Sequence, residues 1–344
     1  VSTDPDTAAA PPATSTPPAA VVLRAVGIEV VHRTRSGPLH AVSGVDLALE
    51  ERRTLALVGE SGSGKSSIAK ALLRLPAPTA GTVTVDGVDL AGLSARELRA
   101  LRPRMQMVFQ DPLSSLNPRR TVRDIVAEPL DAHPALARGR DRESVIDEQL
   151  NAVGLTPDLF GDRKPHQLSG GQAQRVAIAR ALAAEPRVLI ADEAVSALDV
   201  SAQATVLNLL RHLTEERGLA SLFITHDLGV VRAVSDDIAV LQLGRLCERG
   251  PTQEVLAAPA HPYTAALLAA VPEPGRPLGD TGLLPADPPS PLDPPSGCRF
   301  RTRCPLADDL CATREPAMRP VGPDRTVACH RPLLPVLPQA DADA

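Results

Sequence analysis

Apolar positions along this chain change period, and the change separates its regions. From Val21 they come in short β-branched runs, VVLRAVGIEVV, AVSGVDLAL, TLALVG and GTVTVDGVDL, the last holding an Asp-Gly turn. A β-rich opening is predicted. Beyond MQMVFQ (Met105 to Gln110) the spacing becomes three and four residues in TVRDIVAEPL, ESVIDEQLNAVGL and AQRVAIARALAA, which predicts helices. Strands return at RVLIADE and SLFITHD, with the helix-like SAQATVLNLLRHLTEERG between them. Such alternation belongs to an α/β fold whose parallel sheet is covered by helices. No internal repeat at a fixed period is present.

Composition adds boundaries. Of 35 prolines among 344 residues, 5 fall in residues 1–20, 11 in 21–250 and 19 in 251–344. A globular body flanked by two unusual ends is expected. Residues 1–20, Ala, Pro, Ser, Thr and Asp apart from Val1, cannot bury enough apolar surface to offset chain entropy and are expected to be a disordered tail. No run approaches the ~20 apolar residues that cross a bilayer, and the opening VSTDPDTAAAPP lacks the features of an export signal. A net charge of −5 and the absence of Trp argue against a nucleic-acid partner. Lysines number only three, Lys65, Lys70 and Lys164, so the placement of each is informative.

Lys65 stands in Gly59-Glu60-Ser61-Gly62-Ser63-Gly64-Lys65-Ser66, which matches G-x-x-x-x-G-K-[ST] between an apolar strand and a helix-like segment. Glycines there let backbone N–H groups turn around phosphate oxygens, Lys65 can reach terminal phosphates and Ser66 can hold Mg²⁺. An ATP or GTP site is predicted. The strand RVLIADE would deliver Asp192 to Mg²⁺ and Glu193 to the attacking water. A second anion-binding helix start occurs at Leu168-Ser169-Gly170-Gly171-Gln172. Gln110 and His226 each follow a strand, where contacts to a γ-phosphate are expected.

With these motifs in this order, residues 22–250 resemble the ATP-binding cassette ATPases. GESGSGKSS, through Ser67, is similar to Walker A, Gln110 to the Q-loop, LSGGQ to the signature, LIADE to Walker B, SALD with Asp199 to the D-loop, and His226 to the switch histidine. The resemblance implies an α/β P-loop NTPase of the cassette type over residues 21–250. Its parts would be a RecA-like core, an antiparallel β subdomain and a helical subdomain inserted at about residues 112–180. It also implies that Ser66, Gln110 and Asp192 hold Mg²⁺, and that Ser169 to Gln172 close over ATP bound by a second cassette. Two departures stand out. No aromatic residue occurs in 22–58 to stack on adenine, which leaves His32 as the substitute and looser base selectivity as the expectation. After Glu193 the family's Pro-Thr is replaced by Ala194-Val195.

VFQDPLSSLNPRRTV, HPYTAALLAAVP and GCRFRTRCP are similar to segments of the ATPase subunits of dipeptide, oligopeptide and nickel importers. Cys298, Cys304, Cys311 and Cys329 are spaced C-x5-C-x6-C-x17-C in a proline-rich extension, 251–344, that lacks an evident core. Four thiolates around a metal would supply stabilisation, disulfides being the other use of such residues. The importer resemblance implies an iron–sulfur cluster, [4Fe-4S], with zinc as the alternative. Cys247 stands apart as a packed thiol. The whole implies an ATPase on the cytoplasmic face of a membrane, driving uptake of peptides, or of nickel or another small solute, through two permease subunits fed by an external solute-binding protein. A soluble cassette protein is the rival from another class. SLNPRR and ADEAVSALDVS resemble the second ATPase of oligopeptide systems and imply a paralogous partner.

Overall fold

The β-branched runs near the start form five strands, β1 (Val21–Thr34), β2 (Gly37–Glu50), β3 (Thr54–Val58), β4 (Ala80–Val85) and β5 (Val88–Asp89), in a computed structural model. It describes residues 20–271 and 289–337; the expected tail, 1–20, lies outside them except for Ala20. Four of these strands make an antiparallel sheet in the order β2-β1-β4-β5. The fifth, β3, has all its residues buried and enters a second sheet.

That second sheet adds β6 (Met105–Val108), β7 (Val188–Asp192), β8 (Ala220–Thr225), β9 (Asp237–Gln242), β10 (Arg245–Pro251), β11 (Arg319–Gly322) and β12 (Arg325–Val327). Its order is β11-β12-β10-β9-β3-β8-β7-β6. Pairings β6–β7, β7–β8, β8–β3 and β3–β9 are parallel, and the rest antiparallel. Side chains alternate across it. Leu55, Leu57, Ile190, Leu222 and Ile224 pack towards the antiparallel sheet, whereas Ala56, Val58, Ile238 and Val240 pack towards the C-terminal residues.

Helices between residues 112 and 182 share a third apolar cluster with helix Val200–Arg217. TVRDIVAEPL forms two short helices, Val122–Val126 and Glu128–Ala132, not one. Pro129 has no N–H for a continuing helix and sits in the first turn of the second, where none is needed.

Much of the described C-terminal extension packs on the sheet: Cys298, Phe300 and Cys311 share one cluster with Ala56 and Val58 of β3, and Ala260, Val327 and Cys329 form a smaller one. Pairs Glu248–Val327 and Arg249–Thr326 join β12 to β10. Glu248 is fully buried, and its carboxylate accepts from Ala260 N and His261 N, each at 2.9 Å, and from Arg325 Nη2 at 2.6 Å. A buried carboxylate is tolerated here because cation and backbone donors saturate it.

His261 caps helix Pro262–Ala269, its Nδ1 accepting from Tyr263 N at 2.9 Å. Burial pushes its imidazolium down to about 4 from 6.5, against a hydrogen bond to the Ala328 backbone. The unfolded chain therefore binds a proton below pH 6.5 that the folded chain refuses until about pH 4, so stability falls as pH drops through that window. The loss from this group should be on the order of 3 kcal/mol. His261→Asn keeps a capping oxygen and should flatten this limb in denaturant titrations at pH 7, 5.5 and 4; equal slopes for the two proteins would refute the assignment.

Candidate nucleotide-binding site

The phosphate loop turns from β3 into helix Lys65–Leu72. Backbone crowding explains Gly59 and Gly64, and a left-handed φ of +77° explains Gly62. A Cβ on Gly59 would lie 2.1 Å from the Leu241 carbonyl oxygen, and one on Gly64 would lie 2.2 Å from that of Ala41, with φ of +154° and +106° respectively. Lys65 is 5% exposed, and its Nζ donates to the carbonyls of Gly59 at 2.7 Å and Glu60 at 2.9 Å. Burial pushes its ammonium down from the usual lysine range, opposed by Glu193, Asp192 and Glu60. The buried Ser63 hydroxyl has no partner among the described residues, which suits a loop shaped to receive phosphate oxygens.

Three neighbouring parallel strands aim the remaining groups at this loop from their carboxyl ends. Gln110 lies just beyond β6, Asp192 ends β7 with Glu193 next to it, and His226 follows β8. Asp192 Oδ1 accepts from Ser66 Oγ at 3.1 Å, and burial, with Glu193 adding to it, pushes the Asp192 carboxyl up. Such a pair suits a divalent cation, whose charge would restore the carboxylate. Glu193 has φ of +46°, the left-handed region that a non-glycine residue occupies only under constraint. Its Oε2 accepts from Gln110 Nε2 at 2.7 Å and its Oε1 lies 3.2 Å from His226 Nδ1. A carboxylate held at both oxygens is oriented to take a proton from water.

One cavity of about 380 Å³ is lined by Ser61, Gly62, Gly64 to Ser67, Gln110, Glu193 and His32, while Asp192 and His226 are not on its wall and touch it through Ser66 and Glu193. His32 Nε2 is 3.1 Å from Ser67 Oγ, which sets its ring beside the end of the loop. Leu39, His40 and Leu243 line the same cavity and were not singled out by motif. Leu39 and His40 are placed by the β1–β2 register, which pairs His32 with Leu39 and Val31 with His40 through several bulges, and Leu243 by the turn between β9 and β10. Ser169 to Gln172 are not among the residues lining it. Ser169 caps helix Gly170–Leu182 in a reciprocal box with Gln172, and Ser169 and Gly170 are exposed. Asp199 is exposed and caps helix Val200–Arg217 through Ala202 N at 2.9 Å.

Cys298, Cys304, Cys311 and Cys329 are free thiols; the first three pack in one apolar cluster and Cys329 in a neighbouring one with Ala260 and Val327. Burial pushes Cys329 up to about 12 and raises the other three. Backbone hydrogen bonds from Phe300, Leu306 and Arg331, each two residues onward, favour the thiolates of Cys298, Cys304 and Cys329. Among the described residues, no three His, Cys, Asp or Glu side chains are grouped to hold a metal ion. Cys247 is buried in the same apolar cluster as Cys298.

Residues 42–196 match the family described as "ABC transporter", and residues 247–311 match "Oligopeptide/dipeptide transporter, C-terminal region". The chain is 50% identical over 300 residues to "Probable peptide ABC transporter ATP-binding protein y4tS" of Sinorhizobium fredii (strain NBRC 101917 / NGR234), covering 87% of this chain and 84% of that one. It is 46% identical over 298 residues to "Oligopeptide transport ATP-binding protein AppF" of Bacillus subtilis (strain 168), covering 86% and 90%. A structure described as a dimeric post-hydrolysis state of the cassette MJ0796, bound to ADP and Pi, aligns with a TM-score of 0.60 at 30% identity, covering 67% of this chain and 98% of that chain. The chain belongs to the ATP-binding cassette family of transporter ATPases. Within that family it carries the C-terminal region of oligopeptide and dipeptide transporters, and it is an ATPase.

Glu193→Gln should retain ATP binding and lower turnover by at least about a hundredfold, the usual loss on removing a general base. Parallel measurement of ATP affinity and phosphate release checks this; release at the native rate would exclude Glu193 as the base.

Proposed function

We propose that the chain is the ATP-hydrolysing subunit of a peptide importer, peripheral to the cytoplasmic face of a membrane. The observation that carries this is a nucleotide site of cassette geometry joined to an oligopeptide/dipeptide transporter region in one chain. Among the described residues no helix is long and apolar enough to cross a membrane; the oligopeptide/dipeptide transporter region supports separate permease subunits as partners. A groove of about 540 Å³ beside the site is lined by Leu75, Met107 and Phe109 among others, with Leu75 48% and Phe109 42% exposed. Phe109 adjoins Gln110, so a permease segment seated there would feel the residue that holds Glu193.

ATP would lie in the loop of Gly59 to Ser67, its base towards His32. Lys65, which uses two of its three N–H donors on the Gly59 and Glu60 carbonyls, would then give the third to phosphate oxygens. Ser66, Asp192 and Gln110 would hold Mg²⁺, which screens phosphate charge. Glu193 takes the proton of the attacking water, Gln110 keeps its carboxylate oriented, and His226 bridges Glu193 to the γ-phosphate. Exposure of Ser169, Gly170 and Asp199 supports closure of these elements over ATP held by a second, paralogous cassette, with Gly171 and Gln172 behind them.

The four cysteines at 298, 304, 311 and 329 are proposed to hold a [4Fe-4S] cluster. Backbone donors to three sulfurs support a thiolate role.

Cells lacking the chain should fail to take up di- or oligopeptides, and Gln110→Ala should restore ATP binding in them without restoring uptake. Full uptake with Gln110→Ala, or a defect confined to nickel, would overturn the coupling role or the cargo respectively. Anaerobically purified protein should contain iron and acid-labile sulfide; a colourless, zinc-containing protein would end the cluster assignment.

A further inference from the structure

Glu60 occupies a position that the phosphate-loop pattern leaves open, yet every polar group it has is engaged. Its N–H donates to Tyr263 Oη at 3.0 Å. Its carbonyl accepts from Lys65 Nζ at 2.9 Å and from Ser63 N at 3.2 Å. Its carboxylate accepts a two-pronged pair from Arg303, Nη1 to Oε2 at 2.7 Å and Nη2 to Oε1 at 2.8 Å. Tyr263 Oη also approaches Oε2 at 3.4 Å.

The two partners come from the C-terminal extension, 203 and 243 residues further along the chain. Both are rigidly backed. Tyr263 is fully buried and Arg303 is 4% exposed. Phe300 lies between them, its ring centroid 5.2 Å from that of Tyr263 and 5.9 Å from the Arg303 guanidinium carbon. Arg303 stands between Cys298 and Cys304, so the segment that carries the thiols also grips the loop.

From this geometry we infer that Arg303 and Tyr263 are positioning residues for ATP, acting through Glu60 on the carbonyl that orients Lys65. The C-terminal extension is thereby a working part of the nucleotide site. The inference rests on ATP binding at this loop. A guanidinium that is almost wholly buried and spends its fork on one carboxylate fixes both the angle and the depth of that carboxylate. With the fork removed, Glu60 is free to rotate, and its carbonyl and the Lys65 ammonium lose their common frame.

Calorimetric titration of the full-length protein with Mg·ATP tests this, together with steady-state ATP hydrolysis and nucleotide-free thermal melting. Glu60→Gln and Arg303→Met should each weaken ATP binding about tenfold, and the double variant should be no weaker than the worse single one. The loss should fall on KM, with kcat at saturating ATP within about twofold of the parent, and Arg303→Lys should recover part of it. If Arg303→Met does not fold, Glu60→Gln and Tyr263→Phe carry the comparison, since the first exchanges one carboxylate oxygen for an amide NH2 and the second removes one hydroxyl. Native ATP affinity in Glu60→Gln, or additive losses in the double variant, would overturn the inference. Failure of the parent protein to bind ATP would instead strike the nucleotide site itself.

Discussion

A lysine ammonium enclosed at the start of a helix is the costly element on which the site depends. Lys65 is removed from water, and burial pushes its ammonium down from the usual lysine range. What keeps it charged is a ring of oxygens from separate parts of the chain: the carbonyls of Gly59 and Glu60, and the carboxylates of Asp192 and Glu193. Asp192 has the opposite difficulty, a carboxylate pushed towards neutrality by the same enclosure. Each group makes the other tolerable, and neither arrangement survives without the sheet that brings β3 and β7 to one edge with β8 between them.

Neutralisation of that kind needs close backbone packing, and the loop glycines are where the packing is tightest. Gly64 touches β2 through Ala41, and Gly59 touches β9 through Leu241, so both sheets press on the same six-residue turn. Gly244 N donates to Ser63 O at 2.7 Å, adding a strand-end contact from the β9–β10 hairpin. The loop is therefore shaped by its surroundings before any phosphate arrives, which is the preorganisation that makes backbone donors effective.

Local chemistry was legible in the sequence; chemistry assembled across distance was not. The loop, Asp192 and Glu193 are contiguous in short motifs beside strongly patterned strands, so residue order alone located them. Gln110 and His226 were legible by position after strands, and their convergence on the two Glu193 oxygens needed the sheet order. His40 escaped because the β1–β2 register passes through bulges that no period-two pattern reveals. Strands β11 and β12 are too short to show a period, so the antiparallel continuation of the central sheet left no trace. The partners of Glu60 escaped for a simpler reason: nothing in GESGSGKS points to residues more than two hundred positions away.

That separation has a consequence for synthesis. Chains fold from the N-terminus as they leave the ribosome, and contacts of long sequence separation close last. When β10 has just emerged, the phosphate loop, Asp192, Glu193 and His226 are all present, but Arg303 has yet to be made, and Ala56, Val58, Ile238 and Val240 still lack their C-terminal cover. The nascent chain thus passes through an interval in which it holds every nucleotide motif without the fastening behind them. Completion of the ATP site is timed by translation of the cysteine segment.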